Sequence, residues 1–176
     1  CSIIFSNGKL KTVPEKLFAN NKKVTTFNSL FANTESFESV PAGLFANNPE
    51  VDSFRMLFSG TSLKSVPAGL FANNHKVTNF QSAFSKTAIQ SVPADLFAGC
   101  GKVTTFMSCF TGCSELQSVP AELFKSSGAF TTVTKTAFNN IFKDCTSLTE
   151  VPAGLFDGFT LVTAFNDAFN GCCLLY

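Results

Sequence analysis

The sequence predicts an α/β solenoid, a right-handed stack of about six coils of 26–27 residues, each with a short parallel strand and a short helix. Three observations carry that expectation. The dipeptide Val-Pro recurs at Val13, Val40, Val66, Val92, Val119 and Val151, at intervals of 27, 26, 26, 27 and 32 residues, and a fixed period of this size marks a repeat architecture. Phe accounts for 22 residues against one Tyr and no Trp, so the aromatic side chains are packing groups without polar tips. The composition is 45% hydrophobic and only 14% charged. That excludes a disordered chain and fits residues 1–176 folded as one solenoid domain.

Each element follows from its residues. In Leu63-Lys64-Ser65-Val66 a short extended run stops at Pro67, because proline pushes the preceding residue toward extended geometry and brings no amide donor. Pro67 to Ala72 then starts a short helix that carries Leu70 and Phe71 inward, with Asn73 and Asn74 ending it in left-handed geometry. The second half of the unit places apolar residues at i, i+3 and i+4, as in Phe27, Leu30, Phe31 and in Phe54, Leu57, Phe58, which is one face of a helix. Phe80, Ala83, Phe84; Phe106, Cys109, Phe110; Phe138, Ile141, Phe142; and Phe165, Ala168, Phe169 repeat it. So brief a helix does not survive alone. Stacking the units turns their Phe, Leu and Val side chains into columns, each fully buried side chain contributing about 1.5–3 kcal/mol.

The stretch Lys76-Val77-Thr78-Asn79-Phe80-Gln81-Ser82-Ala83-Phe84, followed by a strand and Val-Pro-Ala-x-Leu-Phe, resembles the BspA-like leucine-rich repeats of Bacteroides-type surface proteins, which have a related form in mycoplasma lipoproteins. The resemblance spans essentially the whole chain. It implies a leucine-rich-repeat-like solenoid located extracellularly or on a cell surface, with adhesive or interaction roles. Phe stands at many spine positions where the family has Leu, Ile or Met.

Aligned on the spine, Cys1 takes the slot of Phe27 and Phe54, with Ile4 and Phe5 in the next two apolar positions. Cys172 aligns with Cys113 and Cys145, and Leu175 with Leu116 and Leu148. Neither end carries a polar cap, so the expectation is a slice of a longer array or ends covered by another chain. Cys1-Ser2 also fits the lipid-anchored start of a mature lipoprotein, although the spine alignment already accounts for a small apolar residue there. The fifth coil is longer, with its excess at Thr131–Thr136 between Phe130 and Phe138, read as a surface bulge or a binding loop.

Chemistry is sparse. Thirteen basic and 12 acidic residues leave a net charge of +1, with no footprint for nucleic acid or an anionic membrane. No apolar run approaches the roughly 20 residues that cross a bilayer. Seven cysteines form no Cys-x-x-Cys pair, and the single His75 lies in a polar turn, so no metal site assembles from the spacing. Cys113, Cys145 and Cys172 share a column with Thr34, Thr61 and Thr87, and Cys109 shares one with Leu30, Leu57 and Ile141. These read as small core residues, and a disulfide between column neighbours stays open. Nucleophile elbows, phosphate loops and dinucleotide fingerprints are absent. The carboxylates of Glu15, Glu38, Glu50, Asp95, Glu115, Glu122 and Asp157 fall at different offsets, which argues for no catalytic set and no cofactor.

What remains is surface. Two outward columns flank the Leu-x-x-Val run, one of Lys11, Glu38, Lys64, Gln90, Gln117 and Thr149, the other of Thr12, Ser39, Ser65, Ser91, Ser118 and Glu150. Lys64, Ser65, Gln90, Ser91, Gln117 and Ser118 form the candidate binding face. A second polar row runs through Thr25, Asp52, Thr78, Thr104 and Thr163. The expected function is a non-enzymatic scaffold for a protein partner on a host or microbial surface, or for neighbouring subunits. The alternative is a structural spacer or packing component of a larger assembly such as a phage virion or fibre. Glycan binding is weaker, since Trp is absent and Tyr176 is the one tyrosine.

Overall fold

The structure is a computed structural model that describes residues 9–125 and 133–175. The repeats wind into a stack, and each winding has two arms, one bearing the paired phenylalanines and one bearing Leu-x-x-Val. On the Phe arm the N–H groups of Phe27, Ser29, Phe31 and Asn33 donate to the carbonyls of Ser53, Arg55, Leu57 and Ser59 in the next winding at 2.7–3.1 Å. The intervening N–H groups of Leu30, Ala32 and Thr34 turn back on Phe27, Ser29 and Phe31 at 3.0–3.3 Å. Half of the donors therefore point sideways and half close local turns.

This pattern corrects the expected short helices over Phe27–Phe31 and its counterparts, because no helix forms among the described residues. In a helix every N–H would run along its own axis. Here a neighbouring winding offers carbonyls at every second residue, and a segment too short to sustain a helix takes them. The i, i+3, i+4 spacing still brings three apolar side chains inward, so sequence alone does not separate the two conformations. The turns need left-handed residues at two places per winding. One column is Ser29, Met56, Ser82, Ser108, Asn140 and Asp167, with φ between 53° and 57°. The other alternates Asn33, Gly60, Lys86, Gly112, Asp144 and Gly171.

A second correction concerns the expected parallel strands. No strand forms through Leu63–Val66 or its counterparts. Backbone bonds between neighbouring windings are few there: Glu38 and Ser39 N–H both reach Lys11 O (2.8 and 3.2 Å), Lys64 N–H reaches Glu38 O (3.3 Å), Gln117 reaches Gln90 (3.1 Å) and Thr149 reaches Gln117 (3.2 Å), with none between the Lys64 and Gln90 runs among the described residues. The parallel bridges lie instead at Thr26, Ser53, Asn79 and Thr105, just before the leading phenylalanine. Proline is the reason: the chain turns immediately after Val-Pro, with Leu44 N–H bonded to Pro41 O and Leu96 N–H to Pro93 O at 3.2 Å, so the extended run is too short to ladder.

The core is three columns of rings. Phe27, Phe54, Phe80, Phe106, Phe138 and Phe165 stack with centroids 5.7–6.2 Å apart. Phe31, Phe58, Phe84, Phe110, Phe142 and Phe169 do so at 5.6–5.8 Å. Phe18, Phe45, Phe71, Phe97, Phe124 and Phe156 form the third, each tilted against the first column at 4.7–5.1 Å. The aligned phenylalanines expected from the repeat are thus in place. Phe37 fills the Leu63 slot and stacks on Phe31 at 4.4 Å.

Asn74 does not act as a left-handed stop. It is fully buried, and its side-chain amide donates to the carbonyls of Phe45 (3.3 Å) and Asn48 (2.9 Å) in the preceding winding. Asn48 repeats the arrangement on Phe18 and Asn21 at 3.1 and 3.0 Å. Cys100 takes the same slot next, its thiol 3.8 Å from the Phe71 and Asn74 carbonyls. In the long fifth repeat Val133 is buried in the column of Val51, Val77 and Val103, which puts the extra residues on both sides of it. Thr131 and Thr132 of the expected bulge, and Phe130 before it, lie outside the described residues, as do Cys1, Ile4 and Phe5.

Candidate functional site

Leu63, Ile89 and Leu116 on one side and Val66, Val92 and Val119 on the other are buried, and the two residues between them in each winding face solvent. Lys64, Ser65, Gln90, Ser91, Gln117 and Ser118 are accordingly all exposed, in two adjacent columns. The structure thereby brings the six candidate residues onto one surface.

The two columns differ in chemistry. Along the first, Glu38 accepts from Lys11 at 3.2 Å and from Lys64 at 3.3 Å. The hydrogen bond from Lys11, then that from Lys64, holds the Glu38 carboxyl below its ordinary range. Gln90 donates to Glu115 at 3.2 Å. In the second column Ser39 N–H donates to Lys11 O at 3.2 Å, but among the described residues the hydroxyls and the backbone N–H groups of Ser65, Ser91 and Ser118 have no protein partner. The hydroxyls are legible in the sequence. The free N–H groups are not, because they depend on where the neighbouring carbonyls lie.

The second polar row behaves oppositely. Thr78 and Thr104 turn their hydroxyls onto the backbone of the preceding winding, on Asp52 O at 3.2 Å and on Thr78 O at 2.9 Å. Their donors are consumed by the fold, and Ser53 likewise donates to Asn28 Oδ1 at 2.6 Å.

Most of the described thiols lie inside, Cys172 being half-buried and Cys173 exposed. Cys100, Cys109, Cys113 and Cys145 are buried and every described cysteine is free. Cys113 and Cys145 point their sulfurs at the carbonyls of Phe84 (3.1 Å) and Phe110 (3.2 Å), and Cys172 does the same on Phe142 at 3.1 Å. Burial pushes the Cys113 thiol up to about 11 and Cys100 up to about 12, and it raises Cys109, Cys145 and Cys172 as well. A thiol held in its neutral form is a poor nucleophile and a poor metal ligand. Among the described residues no group of three His, Cys, Asp or Glu side chains is placed to hold a metal. His75 is exposed, its Nδ1 2.9 Å from Gly99 O. No helix of the described residues is long and apolar enough to cross a membrane.

No protein-family model and no curated protein matches the chain. Solved structures do. The chain is similar to one in the glycosylated Toll–Spatzle complex of Drosophila, with TM-score 0.61 and 23% identity over 89% of this chain and 19% of that one. It is similar to the APL1 leucine-rich repeat domain, with TM-score 0.59 and 16% identity over 90% of this chain and 37% of the other. The LRIM1/APL1C complex gives 0.60 and 17%, over 85% and 24%. The chain thus spans less than two fifths of each of these relatives. At such identities the likeness defines the fold, a leucine-rich-repeat-like solenoid.

Proposed function

We propose that the chain is a non-enzymatic repeat scaffold that binds a protein partner through the exposed face of its Leu-x-x-Val arm. The observation that carries this reading is the contrast between the two polar rows. Donors on the Thr78–Thr104 row are spent on the neighbouring winding, whereas Ser65, Ser91 and Ser118 hold both hydroxyl and N–H donors open to solvent among the described residues. A surface with unspent donors beside the side-chain amide of Gln117 suits a partner rich in carbonyls and carboxylates. Two of the similar folds come from complexes, Toll–Spatzle and LRIM1/APL1C, which supports a binding role by analogy of fold. The BspA-like resemblance adds an extracellular or cell-surface setting and adhesion to a host or microbial surface protein.

A glycan partner has less support, because Phe165 is the one exposed large aromatic among the described residues. A spacer or packing role in a larger assembly, a phage virion included, is favoured by a separate observation: Lys11, Glu38 and Lys64 satisfy one another along the stack axis and are less available to a partner.

Immobilised protein exposed to extracts of host-surface and microbial-envelope proteins, with cross-linking and mass spectrometry of what is retained, tests the reading. The variant Ser65→Asp, Ser91→Asp, Ser118→Asp is expected to lose the captured species, and Thr78→Asp to keep them. Identical capture by both and by the parent would leave the spacer role as the better account.

A further inference from the structure

Among the described residues, one column sets thiols in neighbouring windings, that of Cys113, Cys145 and Cys172. Cys109 stands between Ala83 and Ile141 in its own column, and Cys100 follows Asn74. Cys113 and Cys145 are fully buried, whereas Cys172 is half-buried. The backbones that carry the buried pair are tied together just before it, by Phe110 N–H on Ile141 O at 3.0 Å and Gly112 N–H on Lys143 O at 2.7 Å. Bonds of this kind hold adjacent chains about 4.8 Å apart, and a disulfide spans Cα atoms roughly 4.4–6.8 Å apart. The fold therefore supplies the separation that a bridge needs.

The column also shows two side-chain directions. The hydroxyls of Thr61 and Thr87 donate to a carbonyl of their own winding, Phe58 O at 2.8 Å and Phe84 O at 2.9 Å. The sulfurs of Cys113, Cys145 and Cys172 turn instead to the preceding winding, on Phe84 O, Phe110 O and Phe142 O at 3.1, 3.2 and 3.1 Å. Where the two directions meet, Thr87 Oγ1 and Cys113 Sγ share Phe84 O and stand 3.4 Å from one another. Rotating Cys113 about χ1 into the direction of Thr87 carries its sulfur to Phe110 O, where the Cys145 sulfur already lies. The two sulfurs then face one another as Thr87 Oγ1 and Cys113 Sγ do now.

We propose that Cys113 and Cys145 are a redox modification site, closing to a disulfide across the long fifth repeat when the chain folds in the presence of a small-molecule disulfide such as oxidised glutathione. One cysteine, as thiolate, attacks the oxidant, forms a mixed disulfide and expels a first glutathione thiolate. The second cysteine, also as thiolate, attacks the protein sulfur of that mixed disulfide and expels the second. Two protein thiols are oxidised, one glutathione disulfide is reduced to two thiols, and the protons that leave the cysteines go to those leaving groups. Cys113 is favoured over Cys172 as the partner of Cys145. The Cys145 thiol is raised by burial first, then by Cys113 and only after it by Cys172, so Cys113 is the stronger neighbour. Burial holds both thiols neutral in the finished fold and makes them slow to react there, which confines the exchange to folding, before the column closes. The inference concerns the interior of the stack and is independent of the protein-binding face.

Refolding the urea-unfolded full chain in a glutathione redox buffer, blocking the remaining thiols with N-ethylmaleimide and mapping the peptides by mass spectrometry decides it. The expected result is a Cys113–Cys145 link in most molecules, absent when dithiothreitol replaces the redox buffer. The oxidised form should melt roughly 5–10 °C above the reduced one. Cys113→Thr and Cys145→Thr each give the column the residue it already has at Thr87, and each should abolish the link. Circular dichroism melting verifies that both variants fold, and the parent's peptide map reads the proposal whether or not they do. Recovery of Cys113 and Cys145 blocked by N-ethylmaleimide or carrying glutathione overturns the proposal. So does a map dominated by Cys145 linked to Cys172, or one with links scattered over the seven cysteines. An oxidised form that melts no higher than the reduced one overturns it too, since the bridge would then be strained against the column.

Discussion

The two arms of a winding bury comparable apolar residues yet are tied to their neighbours very differently. In the winding of Phe80 the N–H groups of Phe80, Ser82, Phe84 and Lys86 all reach the next winding, at 2.7–3.1 Å. In the Ile89-Gln90-Ser91-Val92 run of the same winding, Gln90 O accepting from Gln117 is the one backbone bond made to the next winding, although Ile89 and Val92 are buried. Burial alone does not fix how one coil sits on another, because apolar contact is non-directional. Register comes from the laddered turns and the stacked rings of the Phe arm. The Leu-x-x-Val arm is carried along by them, and the donors of Ser65, Ser91 and Ser118 stay available among the described residues.

The strongest way to break this comparison is to remove a ring from the middle of the Phe arm. Phe80 is fully buried between Phe54 at 5.7 Å and Phe106 at 5.9 Å, with Phe71 and Phe97 tilted against it at 5.0 and 4.8 Å. Phe80→Ala is expected to cost about 3–5 kcal/mol, a large share of the roughly 5–15 kcal/mol that holds a domain together. Because windings couple only to their neighbours, the loss should also split urea unfolding into two phases. Ser91→Ala, on the other arm of the same winding, should stay within about 0.5 kcal/mol of the parent. Equal costs for the two would show that both arms set the register.

How much of this was legible in the sequence depends on whether a residue's role is decided by its own chemistry or by its neighbour's backbone. Phe27, Phe54 and Phe80 were readable as a column because Phe offers little beyond apolar packing and recurs at a fixed interval. The exposure of Ser65, Ser91 and Ser118 followed from Leu-x-x-Val in the same way. The turn conformation of Phe27–Phe31 was not readable, since its spacing also describes a helix and the deciding carbonyls belong to residues 53–59. Ser29 and Met56 carry no hint in their side chains of left-handed geometry. Gly60, Gly112 and Gly171 do, but only once the alternation with Asn33, Lys86 and Asp144 is seen. Asn74 reads by its own chemistry as a turn residue, and the fixed offset of Asn21, Asn48 and Asn74 after Leu-Phe is the signal that it belongs to a ladder.

The thiols sharpen the comparison next, because Cys113 and Cys145 continue on the Phe arm a column that begins as Thr34, Thr61 and Thr87. Thr87 donates to Phe84 O at 2.9 Å, and the Cys113 sulfur lies 3.1 Å from the same carbonyl. In the unfolded chain a thiol ionises near 9.0, whereas burial raises Cys113 to about 11 and Cys100 to about 12. The folded state thus holds these protons more tightly. Its stability is intact below pH 9 and is lost as pH rises through 11 and 12, at about 1.4 kcal/mol per pH unit for each such thiol. Cys113→Thr should make that alkaline loss less steep while leaving stability at neutral pH within about 1 kcal/mol. An unchanged slope in melting curves between pH 9 and 11 would show that Cys113 does not titrate from a buried state.

The smallest expected effect concerns the backbone of the Phe arm. Met56 has a φ of 55°, a conformation that costs an ordinary side chain about 1–2 kcal/mol and that every other winding repeats at Ser29, Ser82 and Ser108. Glycine would relieve the strain but would also widen the unfolded ensemble, cancelling about 0.4–1 kcal/mol of the gain. Asparagine tolerates left-handed geometry without that loss, so Met56→Asn should stabilise the protein by about 0.5 kcal/mol despite giving up the packing of a half-buried side chain. On the opposite arm Gly69 has a φ of 68° and Gly154 one of 78°, while Gly43, Asp95 and Glu122 in the same slot do not share the conformation. Gly69→Ala should therefore cost about 1 kcal/mol locally, with the coil relaxing toward the shape of its neighbours. If Met56→Asn instead destabilises, the thioether's packing outweighs the backbone strain, and the left-handed column is held by side chains as well as by the ladder. Denaturant midpoints of the two variants against the parent separate these outcomes.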